Sequence, residues 1–179
     1  MPESNAADPP ALSHEQRIDQ LHRLQLHRAR LDAAEARLLH AMNIDPLPNA
    51  DGSPALEKDW VREDVACILK ISGAYAQTKL VHATELVSRF PATLALLERG
   101  EITARHATRL VEACLGRGDS VAGKVEARVL PRAPQQSIAQ FGLSVRRALL
   151  ACDPRGAEDR HRDALESRRV VFSPQPDGV

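Results

Sequence analysis

The chain has 179 residues, with 24 Lys and Arg against 24 Asp and Glu, so bulk charge argues neither for a nucleic-acid sponge nor for a membrane-surface protein, and any electrostatic binding must come from local patches. Hydrophobic residues make up 43% of the chain and aromatics only 3%, which leaves Leu, Ala, Val and Ile to build the core and favours packed helices over a sheet sandwich. The length suits one domain with an extension, and the expected fold is all-α, a multi-helix bundle.

Residues 1–12 form a polar, Pro-bearing lead that is expected to be disordered. Ser13 and Gln16 then make a capping box, and Ile18, Leu21, Leu24, Leu31 and Leu38 follow as a heptad-like stripe. A long N-terminal helix over 13–42 results, roughly 40 Å at about 1.5 Å per residue. That exceeds the body of a compact domain this size, so one end is expected to pack on another element, a partner chain of a homo-oligomer being one candidate. Residues 43–56 carry Pro46, Pro48, Gly52 and Pro54 and read as a linker.

The remainder, 57–179, reads as a helical domain with segments at about 57–69, 73–89, 91–99, 104–115, 121–130 and 137–152. Pro91 suits a first helical turn, Gly100 a left-handed C-terminal position, and Thr103 and Ser137 cap the helices that follow. A last helix is expected over 155–167. Val170, Val171 and Phe172 then read as one short C-terminal strand, with Pro176, Asp177 and Gly178 opening a turn. A hairpin would need a second strand, so the domain is expected to be truncated at its C-terminal end.

Three lone cysteines, Cys67, Cys114 and Cys152, fit reduced thiols in a cytoplasmic protein better than a disulfide framework. Residues 1–10 hold no cationic and apolar regions of a leader type, and no run of about eighteen apolar residues occurs, so neither export nor a membrane partner is expected. No two of the seven histidines stand four apart and no Cys-x-x-Cys occurs, so no metal site is expected. No nucleophilic triad or Gly-rich phosphate loop is visible either, and no catalytic residue or cofactor is assigned. The basic run Arg146, Arg147, Arg155, Arg160, Arg162, Arg168 and Arg169 is interleaved with acids and reads as a solvated face.

Residues 62–86 have the order of a helix-turn-helix pair. Ala66 permits a close helix crossing, Ile71 plugs the gap, and Ser72 caps a second helix whose Ala76 and Leu80 face the first. The second helix is expected to present Gly73, Ala74, Gln77, Thr78 and His82 outward, with Tyr75 and Lys79 flanking. As a DNA-binding surface, Lys70, Ser72, Ala74, Tyr75, Gln77, Thr78, Lys79 and His82 would carry the contact, Lys70 and Lys79 reaching phosphates. An ordinary helical hairpin with a solvated face has the same pattern, and the acidic run Glu57, Asp59, Glu63, Asp64 on the first helix works against phosphate contact.

Several ordered blocks carry a family resemblance: 62–80 (REDVACILKISGAYAQTKL), 89–93 (RFPAT), His106 with Ala107, 125–131 (VEARVLP), 136–141 (QSIAQF), 145–148 (VRRA), 157–161 (AEDRH) and 174–178 (PQPDG). From about Asp59 onward the chain resembles the actinobacterial domain-of-unknown-function 222 family, the mycobacterial thirteen-E-twelve repeat proteins. Members of that family typically continue into an HNH endonuclease domain. No HNH motif stands in this sequence, so no nuclease residue carries over, and the resemblance implies an N-terminal fragment without its own catalysis. The resulting expectation is a non-catalytic, DNA-associated helical module, with a structural or oligomerisation module, or a truncated remnant without independent activity, as the alternatives.

Overall fold

The computed structural model describes residues 12–44 and 58–154, and every element in them is helical. The first, α1 (His14–Ile44), starts at the expected capping box: the Ser13 N–H donates to Gln16 Oε1 at 2.9 Å, and the Gln16 N–H to Ser13 Oγ at 3.2 Å. Its 31 residues make a rod about 46 Å long. The residues it buries are Ala29, Ala33, Ala36 and Leu39, not the leucine stripe. Small side chains at i, i+4 and i+7 let the α1 backbone sit close to its neighbours, chiefly α3 and α4. Ile18, Leu21, Leu24, Leu31 and Leu38 all stay exposed, the last three on the far side of the rod from the core.

Next come α2 (Lys58–Leu69), α3 (Gly73–Arg89) and α4 (Pro91–Arg99), then α5 (Ala104–Cys114), α6 (Asp119–Val129), a 3-10 segment (Leu130–Gln135) and α7 (Ile138–Cys152). The expected boundaries hold to within two residues where chemistry marks them. The 3-10 segment was not foreseen. Pro131 and Pro134 remove amide donors there, yet the chain keeps turning as it leaves α6. The expected helix over 155–167 and the strand at Val170–Phe172 lie outside the described residues, so the fold is all-α over what is described.

Helix α3 is the hub. It buries Ala76, Leu80, Ala83 and Leu86 and touches α1, α2, α4, α5 and α6. Phe90, in the joint between α3 and α4, and Phe141 on α7 are the largest fully buried side chains. Helix α4 has Pro91 in its first turn and no capping side chain of its own. Glu126 of α6 supplies one from across the core: its Oε1 accepts from both the Thr93 N–H and the Thr93 hydroxyl at 2.8 Å. A buried carboxylate is tolerated here because it meets two donors at the positive end of a helix.

Buried His106 has a comparable structural task. The Thr103 N–H points at its Nδ1 at 3.3 Å, which leaves the proton on Nε2 to donate to the Gln136 carbonyl at 3.0 Å. The ring stands edge-on to Phe141 at 5.1 Å. Arg89 binds Glu85 on its own helix and Asp119 of α6, while Arg117 binds the Ala113 carbonyl and Asp153. These arginines hold helices together.

Candidate functional site

The α2–α3 joint is built by local chemistry. Leu69 ends α2, and Lys70 takes a left-handed conformation with φ 54°, the only non-glycine among the described residues to do so. The Ile71 N–H donates to the Ala66 carbonyl at 3.0 Å and the Lys70 N–H to the Cys67 carbonyl at 3.3 Å, the two bonds of a Schellman stop. Ile71 is half-buried against the core, and Ser72 Oγ accepts from the Tyr75 N–H at 3.3 Å to open α3. Three residues, Lys70, Ile71 and Ser72, therefore join the two helices.

Of the eight candidate residues, Lys70, Ser72, Ala74 and Gln77 stand on an open surface at the start of α3. Tyr75 and Thr78 are exposed too, the Thr78 hydroxyl donating back to the Ala74 carbonyl at 3.1 Å. Lys79 and His82 depart from expectation. Lys79 Nζ lies 2.7 Å from Glu35 Oε1 of α1, so its charge is already answered. His82 is half-buried rather than projecting outward.

The reason is a cleft of about 230 Å³ between α1, α3 and α5. Tyr75, Thr78, Lys79 and His82 line one wall; Asp32 and Glu35 of α1 and Thr108 and Glu112 of α5 line the others. Three carboxylates against one lysine make the cleft unwelcoming to phosphate. Burial, and then the neighbouring Glu35, push the Asp32 carboxyl above the ordinary carboxylate range, with Lys79 and Arg28 opposing. No local spacing signals these acids, because α1 meets α3 only in the folded chain.

Cys114 is buried and its thiol is pushed up chiefly by burial, which makes a poor nucleophile. Cys67 is exposed. Among the described residues no group of three or more His, Cys, Asp or Glu is placed to hold a metal ion, and no helix is long and apolar enough to cross a membrane.

No match is found among curated proteins or among solved structures. A family model described as "Domain of unknown function (DUF222)" matches residues 18–179, so it takes in both the α2–α3 joint and most of α1. With the greater part of its length matched, the chain belongs to the DUF222 family.

Proposed function

We propose that the chain is a non-catalytic helical module that associates with DNA through the start of α3. The observation that carries this reading is the exposure of Ser72, which closes a three-residue turn, and of Ala74, Gln77 and Thr78 just after it, with Lys70 at the edge and in no ion pair among the described residues. Short side chains at Ala74 and Thr78 allow close approach, Gln77 has both a donor and an acceptor for a base edge, and Lys70 supplies a phosphate contact. Lys79 is not counted among the phosphate contacts, since Glu35 holds it. Gel-shift titration at two salt concentrations tests the reading: Gln77→Ala and Lys70→Ala weaken binding, and a chain that binds no duplex refutes it.

A second reading, self-association through α1, is favoured by Leu24, Leu31 and Leu38, which stand seven residues apart and are 57%, 69% and 63% exposed. A leucine repeating every seventh residue along one side of a helix suits pairing with a second helix of the same kind. Light scattering on the intact chain and on a Leu24→Glu, Leu31→Glu, Leu38→Glu variant tests it. A monomer in both refutes it.

A further inference from the structure

From residue 127 to residue 152 the chain has no acidic side chain, yet it carries Arg128, Arg132, Arg146 and Arg147. Three of these four converge. Arg128 lies in the last turn of α6, and Arg132 follows one turn on in the 3-10 segment. Arg147 comes from α7, and together with Ser144 they line one groove of about 390 Å³ whose floor is the buried pair Val129 and Ala148. Among the described residues no carboxylate lines it.

Elsewhere arginines that meet an acid are paired: Arg37 with Glu98, Arg89 with Glu85 and Asp119, Arg117 with Asp153. Arg128, Arg132 and Arg147 make no ion pair among the described residues. The two acids of α6 are committed elsewhere, Asp119 to Arg89 and Glu126 to Thr93. Compensation of the α6 dipole at its C-terminal end accounts for Arg128 and Arg132. It does not account for Arg147, which lies outside the last turn of α7.

The polar groups of the groove are donors. Each guanidinium is a planar fork of N–H groups with no acceptor. Ser144 Oγ already accepts from Gln136 Nε2 at 2.9 Å, which leaves its hydroxyl proton to give into the groove. Three fixed positive charges exceed what one carboxylate would neutralise, whereas a phosphate offers several oxygens and up to two charges to bidentate forks. We infer that the groove of Arg128, Arg132, Ser144 and Arg147 is a binding site for phosphate groups, either of a nucleic-acid backbone or of a small phosphate compound. This site is independent of the α3 surface and stands or falls without it.

The test is an amide NMR titration of the full chain, with inorganic phosphate in one arm and a short DNA duplex in the other. Saturable shifts at the amides of Ser144 and Arg147 are expected in at least one arm. Arg128→Gln with Arg147→Gln weakens that binding by roughly tenfold or more per arginine. Arg146→Gln, adjacent in sequence but lining the α5–α7 surface instead, leaves it unchanged. All three side chains are exposed, so the folded spectrum is retained as an internal control. A duplex that displaces phosphate identifies a backbone as the source; phosphate binding untouched by duplex identifies a small compound. The inference is overturned if neither probe gives saturable shifts at the groove, or if Arg146→Gln weakens binding as much as Arg147→Gln. Duplex binding that responds to Gln77→Ala and not to Arg147→Gln, with no phosphate binding at the groove, also overturns it, while leaving the α3 reading intact.

Discussion

Lys79 Nζ on α3 lies 2.7 Å from Glu35 Oε1 on α1, and this contact turns a candidate phosphate ligand into a strut between two helices. Both side chains remain about one third exposed, so the pair is worth little to stability, under about 1 kcal/mol. Its effect on binding is larger. Glu35→Gln frees Lys79 and removes a carboxylate beside the α3 surface, so duplex affinity is expected to rise by about twofold to tenfold at low salt, with a steeper salt dependence. Fluorescence anisotropy at two salt concentrations measures both. Unchanged affinity would place the binding surface away from α3.

Glu126 stabilises the fold through its two bonds to Thr93. Glu126→Ala leaves a buried N–H and a buried hydroxyl without partners, and the expected cost is about 2–4 kcal/mol. Thr93→Val removes only the hydroxyl bond and costs about 1–2 kcal/mol. Urea unfolding gives both values. A cost for Glu126→Ala below that for Thr93→Val would show that the carboxylate does not cap α4.

Two glycines separate backbone strain from steric contact. Gly100 and Gly116 have φ 73° and 70°, both in the left-handed region. A Cβ on Gly100 would stand 2.5 Å from Leu26 Cδ2 and 3.3 Å from Leu26 Cα, whereas a Cβ on Gly116 meets nothing within 4 Å. Gly116→Ala should therefore cost about 1 kcal/mol from strain alone, and Gly100→Ala about 1–3 kcal/mol more because α1 must shift. Thermal melts compare them directly. Equal losses would mean that α1 does not press on the end of α4.

Asp32 gives the pH dependence of the cleft a definite sign. Burial and Glu35 raise its carboxyl in the folded chain, so the folded state holds that proton to higher pH than the unfolded state does. The stability this proton contributes is complete below the ordinary carboxylate range and is lost as pH rises through the raised value. Asp32→Asn should thus stabilise the chain at neutral pH, by less than about 1 kcal/mol given solvent screening, and lose that advantage in acid. Melting midpoints at neutral and acid pH check it; destabilisation at neutral pH would show that Lys79 and Arg28 outweigh burial.

What was legible in the sequence follows the range of the forces involved. Helix ends set by one residue and its near neighbours were readable: Ser13 with Gln16, Ser72 at the head of α3, Pro91 at the first turn of α4, and Gly100 after its last. The left-handed Lys70 was not, since a lysine there has no glycine-like signature. The buried face of α1 was not legible, because Leu24, Leu31 and Leu38 are the stronger hydrophobic signal. Ala29, Ala33 and Ala36 win the core because closeness of backbones, not side-chain bulk, governs that crossing. At the candidate site, Ala74 and Gln77 are exposed as expected, and Ser72 is exposed as the cap that opens α3. Lys79 and His82 are placed otherwise than read, because Glu35 and the α5 wall belong to helices distant in sequence.

The most direct test of the DNA-associated reading is anisotropy of a labelled short duplex titrated with the full chain, compared among wild type, Gln77→Ala and Lys70→Ala. The account predicts salt-sensitive binding, with Lys70→Ala reducing the salt slope by about one and Gln77→Ala weakening affinity by roughly tenfold. Absence of duplex binding at low salt, or binding indifferent to both substitutions, would contradict it.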